Sequence, residues 1–181
     1  MRFLLTVCLF CLAGVVSAGD MSALKQPGVL ALMRHALAPG TGDPSDFELG
    51  DCATQRHLDA RGRDQARRTG AALRAAGISF DRIWTSQWCR TRDTAQLLDL
   101  GPVTEQPVLN SFYAGQGDAA AQTEQTLELI EALPGDARLL IVTHQVNITA
   151  LTGLGVSSGE IIIARRTPDG LAVSGRFMIA P

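Results

Sequence analysis

An arginine beside a histidine, Arg34-His35, ends the apolar run Gly28-Val29-Leu30-Ala31-Leu32-Met33. A guanidinium offers a planar fork of donors that grips a phosphate or carboxylate in two-pronged fashion, and an imidazole is a nucleophile that works near neutral pH. The pair therefore suits phosphate chemistry. The pattern returns later: Leu139-Leu140-Ile141-Val142-Thr143 is again apolar without alternation and again delivers a histidine, His144. Between the two, Arg82-Ile83-Trp84-Thr85-Ser86 leads to Arg90 at a helix start, where free backbone N–H groups and the helix dipole also favour an anion. The third histidine, His57, stands beside Arg56 just ahead of a helix cap and reads as solvent-facing.

Side chains of this kind need strand ends to hold them. Runs without alternation suit strands covered on both faces, as in a parallel sheet with helices above and below, where ligands bind at the carboxyl ends of the strands. Ala36 to Leu58 carries Pro39, Gly40, Gly42, Pro44 and Gly50, too many breakers for an element, and is long enough to rim a site. Asp59 can cap a helix with Ala66, Gly70 and Leu73 on one stripe and Gly77 as its terminator. A helix follows from about Arg90 to Leu98, and Val103 to Leu109 holds a short strand interrupted by Pro107. Ala120, Thr123, Leu127 and Ile130 keep helical spacing up to Pro134-Gly135, and a short helix runs from about Val146 to Leu154. Ile161 to Arg165 and Leu171 to Ile179 form a terminal hairpin across Thr167-Pro168-Asp169-Gly170. Together these predict a three-layer α/β/α sandwich with a mostly parallel central sheet and a C-terminal hairpin.

The 181 residues fit one folding unit, and 46% hydrophobic with 19% charged residues is a globular balance. Met1-Arg2, the nearly unbroken apolar run Phe3 to Val16, and Val16-Ser17-Ala18 before Gly19 read as a secretory signal with a small-residue cleavage site. Residues 1–18 are thus expected to be removed and residues 19–181 to form a single secreted or periplasmic domain without a membrane anchor. Loss of Arg2 leaves 15 basic against 18 acidic residues, scattered, which disfavours nucleic acid as a partner. Cys8 and Cys11 leave with the signal, and Cys52 and Cys89 remain as an even pair in an oxidising compartment. They are expected to form a disulfide tying the long loop to the turn beside Arg90, the alternative being two buried thiols.

Arg34-His35-Ala36, then Ser86-Gln87-Trp88-Cys89-Arg90 with Thr94-Ala95, then Thr143-His144 occur in order at the expected strand ends. With Leu58-Asp59-Ala60-Arg61-Gly62-Arg63-Asp64-Gln65-Ala66 on the first helix, the chain resembles the histidine phosphatase superfamily from about Leu30 to Asn147. The superfamily usually has Arg-His-Gly where this chain has Ala36, so a methyl group must fit into that turn.

The resemblance implies an exported phosphatase that hydrolyses phosphomonoesters through a phosphohistidine, without cofactor or metal. His35 is the implied nucleophile. Arg34, Arg90 and His144 are implied to hold the phosphoryl group, with Gln145 beside them in substrate binding. The implied partner is a small phosphorylated substrate, cell-envelope sugar phosphates among the possibilities. The general acid is not legible. One branch of the superfamily places an aspartate directly after the second histidine, where this chain has Gln145. Another uses a mid-chain glutamate, and Leu109-Asn110-Ser111-Phe112-Tyr113 contains none. Glu105, Asp43 and Glu160 remain by elimination. Lack of an acid leaves a second class open, a phosphate- or phospholigand-binding protein with little turnover.

Overall fold

The computed structural model describes residues 21–181; the expected signal segment and its cleavage point at Gly19 lie outside them. Six strands form one sheet: β1 (Val29–Arg34), β2 (Arg82–Thr85), β3 (Val103–Glu105), β4 (Leu139–Thr143), β5 (Ile161–Thr167) and β6 (Gly170–Phe177). Their order is β3-β2-β4-β1-β5-β6. The first four of these run parallel, and the terminal hairpin adds β5 antiparallel to β1. Helices α1 (Ala60–Ala75), α2 (Cys89–Leu98), α3 (Ala119–Glu131) and α4 (Gln145–Thr152) cover both faces.

The unalternated strands are buried on both sides because alternate side chains feed two cores. Ala31, Met33, Leu140 and Val142 pack with Leu73 of α1 and with Ala95 and Leu98 of α2. Leu30, Leu32, Leu139 and Ile141 pack with Ile130 of α3 and Ile148 of α4. The three-layer sandwich expected from the sequence is therefore the observed fold. Gly70 sits where α1 crosses the end of α2, and a Cβ there would fall 1.9 Å from the Leu98 carbonyl oxygen. The helices can approach only because that position carries no side chain.

Local signals placed most boundaries. The Asp59 carboxylate accepts from Gly62 N at 2.7 Å and caps α1, and Gly77, at φ +69°, terminates it. Asp118 caps α3 in the same way, accepting from Ala121 N at 3.0 Å. Three stretches differ. Pro107 lacks the N–H needed to continue a ladder, so Val103 to Leu109 divides into β3 and a 3-10 turn over Pro107–Leu109. The hairpin pairs further toward its turn than expected, with a register irregularity at Ile163/Ala164, while Ile179 lies beyond β6. α4 begins one residue early, at Gln145 directly after His144.

Candidate active site

β1 and β4 lie side by side in parallel register, Arg34 opposite Thr143. The next residue on each strand is a histidine, and the rings of His35 and His144 meet edge to face with centroids 5.7 Å apart. His35 N donates to the Thr143 carbonyl at 2.9 Å, which fixes the two strand ends together. Arg34, His35, Arg90, His144 and Gln145 all line one pocket, joined there by Asp43, Arg56, Ser111 and Tyr113. Gln145 is exposed at the edge, on the first turn of α4.

His35 is 2% exposed, and its Nδ1 stands 2.8 Å from the Ala36 carbonyl oxygen. A carbonyl only accepts, so Nδ1 carries the proton and Nε2 keeps its lone pair. Burial, then the charge of Arg90, hold the His35 pKa well below its ordinary value. The free imidazole is therefore neutral at neutral pH. Ala36 accommodates its methyl group among Ala38, Leu58 and Ala66 and donates its N–H to Thr94 Oγ1 at 3.0 Å.

His144 is 3% exposed and its pKa is also pushed well down, by burial first and then by Arg90. Its Nε2 stands 2.8 Å from Ser86 Oγ, which stands 2.7 Å from Thr91 Oγ1. Thr91 donates its own proton to the backbone, to Trp88 O at 2.7 Å or Ser86 O at 3.1 Å. Ser86 must then donate to Thr91 and accept from His144 Nε2–H. That leaves Nδ1 of His144 for the pocket.

Arg90 enters from the first turn of α2 and is 3% exposed. Its Nη1 and Nη2 donate to Asp43 Oδ1 and Oδ2 at 2.6 and 3.2 Å. Asp43 also accepts from Trp88 Nε1 at 3.0 Å and from Arg56 N at 3.2 Å. These donors and the Arg90 charge outweigh burial and hold its carboxyl below the usual carboxylate range. Of the three carboxylates left open by the sequence, Asp43 alone reaches the pocket, and it does so as a fixed anion. Glu105 lies on β3 and pairs with Arg92 at 3.4 Å, and Glu160 pairs with Arg176 at 3.1 Å.

Among the charged residues of the pocket, Arg56 is the one that sequence reasoning missed. Its Nε donates to Gly42 O at 2.8 Å and its Nη1 to Ala38 O, and burial with the nearby Arg90 pulls its pKa down to about 10. With both imidazoles neutral, Arg34, Arg56 and Arg90 against Asp43 leave a formal pocket charge of +2. A phosphomonoester dianion matches that charge. Its neighbour His57 is exposed and outside the pocket, as expected.

The long loop supplies Asp43 and Arg56, and three further ties besides the Asp43–Arg90 pair hold it against the start of α2. Cys52 and Cys89 are joined in the expected disulfide, with Cα atoms 5.8 Å apart. Gln55 Oε1 accepts from Cys89 N at 2.9 Å, and Phe47 stacks on Trp88 with centroids 4.9 Å apart.

Residues 30–118 match the sequence profile of the histidine phosphatase superfamily, branch 1. An uncharacterized protein of Picosynechococcus sp. is 32% identical over 120 residues, 66% of this chain and 67% of that one. The mitochondrial serine/threonine-protein phosphatase Pgam5 of Drosophila grimshawi is 35% identical over 65 residues, 36% of this chain but only 22% of that longer protein. In structure, the chain resembles the protein histidine phosphatase SixA complexed with tungstate, with a TM-score of 0.62 at 16% identity over 83% of this chain and 96% of that one.

Proposed function

The chain belongs to the histidine phosphatase superfamily, and we propose that it hydrolyses phosphorylated small molecules through a phosphohistidine on His35, without a metal ion. One observation carries the reading. The Ala36 carbonyl fixes the His35 proton on Nδ1, so a buried, neutral imidazole keeps its Nε2 lone pair in a pocket lined by three arginines. In the first step Nε2 bonds to phosphorus as the ester oxygen leaves in line with it. Charge spreads over the equatorial oxygens, where Arg34, Arg90 and Arg56 supply the positive charge that a metal supplies in other phosphatases. His144 stands beside the same group. A bound dianion offsets the cations that depress its pKa, and Nδ1 then carries a proton to a phosphoryl oxygen. In the second step water attacks phosphorus and His35 is released.

The similar proteins support a phosphatase but span different substrates, a protein phosphohistidine and phosphoserine or phosphothreonine. Export of this chain points instead to phosphorylated compounds of the cell envelope, sugar phosphates among them. The apolar run Phe3 to Val16 and the Cys52–Cys89 bond support export. Protein isolated from its native host should lack the first 18 residues by mass; an intact Met1 on it contradicts export.

The test of function is phosphate release by residues 19–181 across aryl, sugar and amino-acid phosphates, with chelator present throughout. Turnover unaffected by chelator is the expected result. The second reading, a phosphate-binding protein, is favoured by the locking of Asp43 to Arg90, which leaves the pocket without a protonated carboxyl. Tight phosphate binding without turnover of any compound would establish it.

A further inference from the structure

Phosphoryl transfer to His35 needs a proton for the departing oxygen, and we infer that Tyr113 supplies it. The inference rests on the phosphatase reading above. In-line displacement places the leaving oxygen opposite the attacking nitrogen. His35 is 2% and His144 3% exposed, side by side on the pocket floor, so the leaving group faces the mouth and not His144. Tyr113 stands at that mouth, 46% exposed and part of the pocket wall. A Cβ built on Gly42 would lie 3.8 Å from its Cε1, so the hydroxyl-bearing end of the ring rests against the loop that carries Asp43.

The other groups at the mouth carry no suitable proton. Asp43 is an anion held by Arg90, Trp88 and Arg56, and Arg56 itself is tied down through Nε and Nη1 to the Gly42 and Ala38 carbonyls, with its charge given to the phosphoryl group. Thr41 has only an aliphatic hydroxyl and Gln145 only an amide, whereas a phenol is a stronger acid than an alcohol and can protonate an alkoxide. The backbone beside Tyr113 is also constrained. Ala114, directly after Tyr113, adopts φ +54°, a left-handed conformation that costs a non-glycine residue and persists where the surroundings enforce it.

The step balances within the chain. As Nε2 bonds to phosphorus and the phosphorus–oxygen ester bond breaks, the Tyr113 proton passes to the leaving oxygen. The tyrosinate is stabilised by the pocket's excess positive charge. Water then enters the vacated position and attacks phosphorus, the nitrogen–phosphorus bond breaks, and the water's proton returns to Tyr113. One residue serves as acid and then as base.

The experiment compares kcat/KM of wild type and Tyr113→Phe on an alkyl phosphate and on an aryl phosphate whose phenol leaves without protonation. Tyr113→Phe should lose about 10²-fold on the alkyl phosphate, at least about ten times more than on the aryl phosphate. Equal losses on both substrates would overturn the assignment and make the ring a binding surface, and no loss on either would remove Tyr113 from the reaction. Failure of wild type to form a phosphoenzyme with the aryl phosphate would instead defeat the phosphatase reading on which the inference stands.

Discussion

The carboxylate of Asp43 and the guanidinium of Arg90 face each other through two hydrogen bonds of 2.6 and 3.2 Å, with 2% and 4% of their side chains exposed. Asp43 reaches this position from the middle of the loop between β1 and α1, and Arg90 from the first turn of α2. The pair lets a buried arginine stay charged and aimed at the pocket before any ligand arrives, and it joins the loop to the pocket floor.

Removal of one partner should therefore be costly. Asp43→Asn leaves Arg90 buried without its counter-ion, and breaking such a pair costs about 3 to 5 kcal/mol. Chemical denaturation should show that loss, with kcat/KM falling as Arg90 loses its orientation. A variant of wild-type stability would contradict the role given to Asp43.

The disulfide closes a separation of 37 residues, and a link of that span stabilises by roughly 3 to 4 kcal/mol in the chain-entropy model. Replacement of Cys52 and Cys89 by serine should lower the urea midpoint accordingly. Turnover should fall as well, because the released loop carries Asp43 and Arg56. Unchanged kinetics in the double variant would show that the Asp43–Arg90 pair, Gln55 and the Phe47–Trp88 stack hold the loop without the disulfide.

Acidification should destabilise the fold in a defined window. His35 and His144 are held well below 6.5 in the folded chain and titrate near 6.5 when it unfolds. Below that pH the unfolded state binds the additional protons, so stability is complete above 6.5 and falls as pH drops toward the folded values. The slope is up to about 1.4 kcal/mol per pH unit for each imidazole. Denaturant melts between pH 7 and 5 should show it, and His144→Asn should flatten it. The acid limb of kcat/KM should lie below 6.5 for the same reason, since the free His35 stays neutral there.

The sequence carried the strands well and the long loop poorly. β1 and β4 were readable because burial on both faces writes itself as an unbroken apolar run, and α1 because its cap and terminating glycine are local signals. Arg34, His35, Arg90 and His144 follow strand ends or a helix start, so their convergence followed from the parallel sheet. Arg56 and the role of Asp43 did not, because both lie in the breaker-rich loop, where no periodicity assigns a direction to a side chain. The one available sign for Arg56 was its place between Cys52 and the Asp59 cap, a stretch tethered at both ends. Tyr113 was visible only as part of a segment lacking a glutamate; its position at the mouth depends on the turn after Pro107–Leu109.

The central claim is that phosphorus passes through His35. Rapid-quench mass spectrometry of the enzyme mixed with an aryl phosphate, stopped in alkali to preserve phosphohistidine, tests it most directly. The predicted result is a phosphorylated peptide containing His35, formed and lost at rates that match turnover. It should be absent in His35→Ala, whose turnover should fall by at least about 10³-fold while Arg34, Arg56 and Arg90 still bind phosphate. Wild-type turnover in His35→Ala, or turnover with no phosphate on the chain at any time, would contradict it.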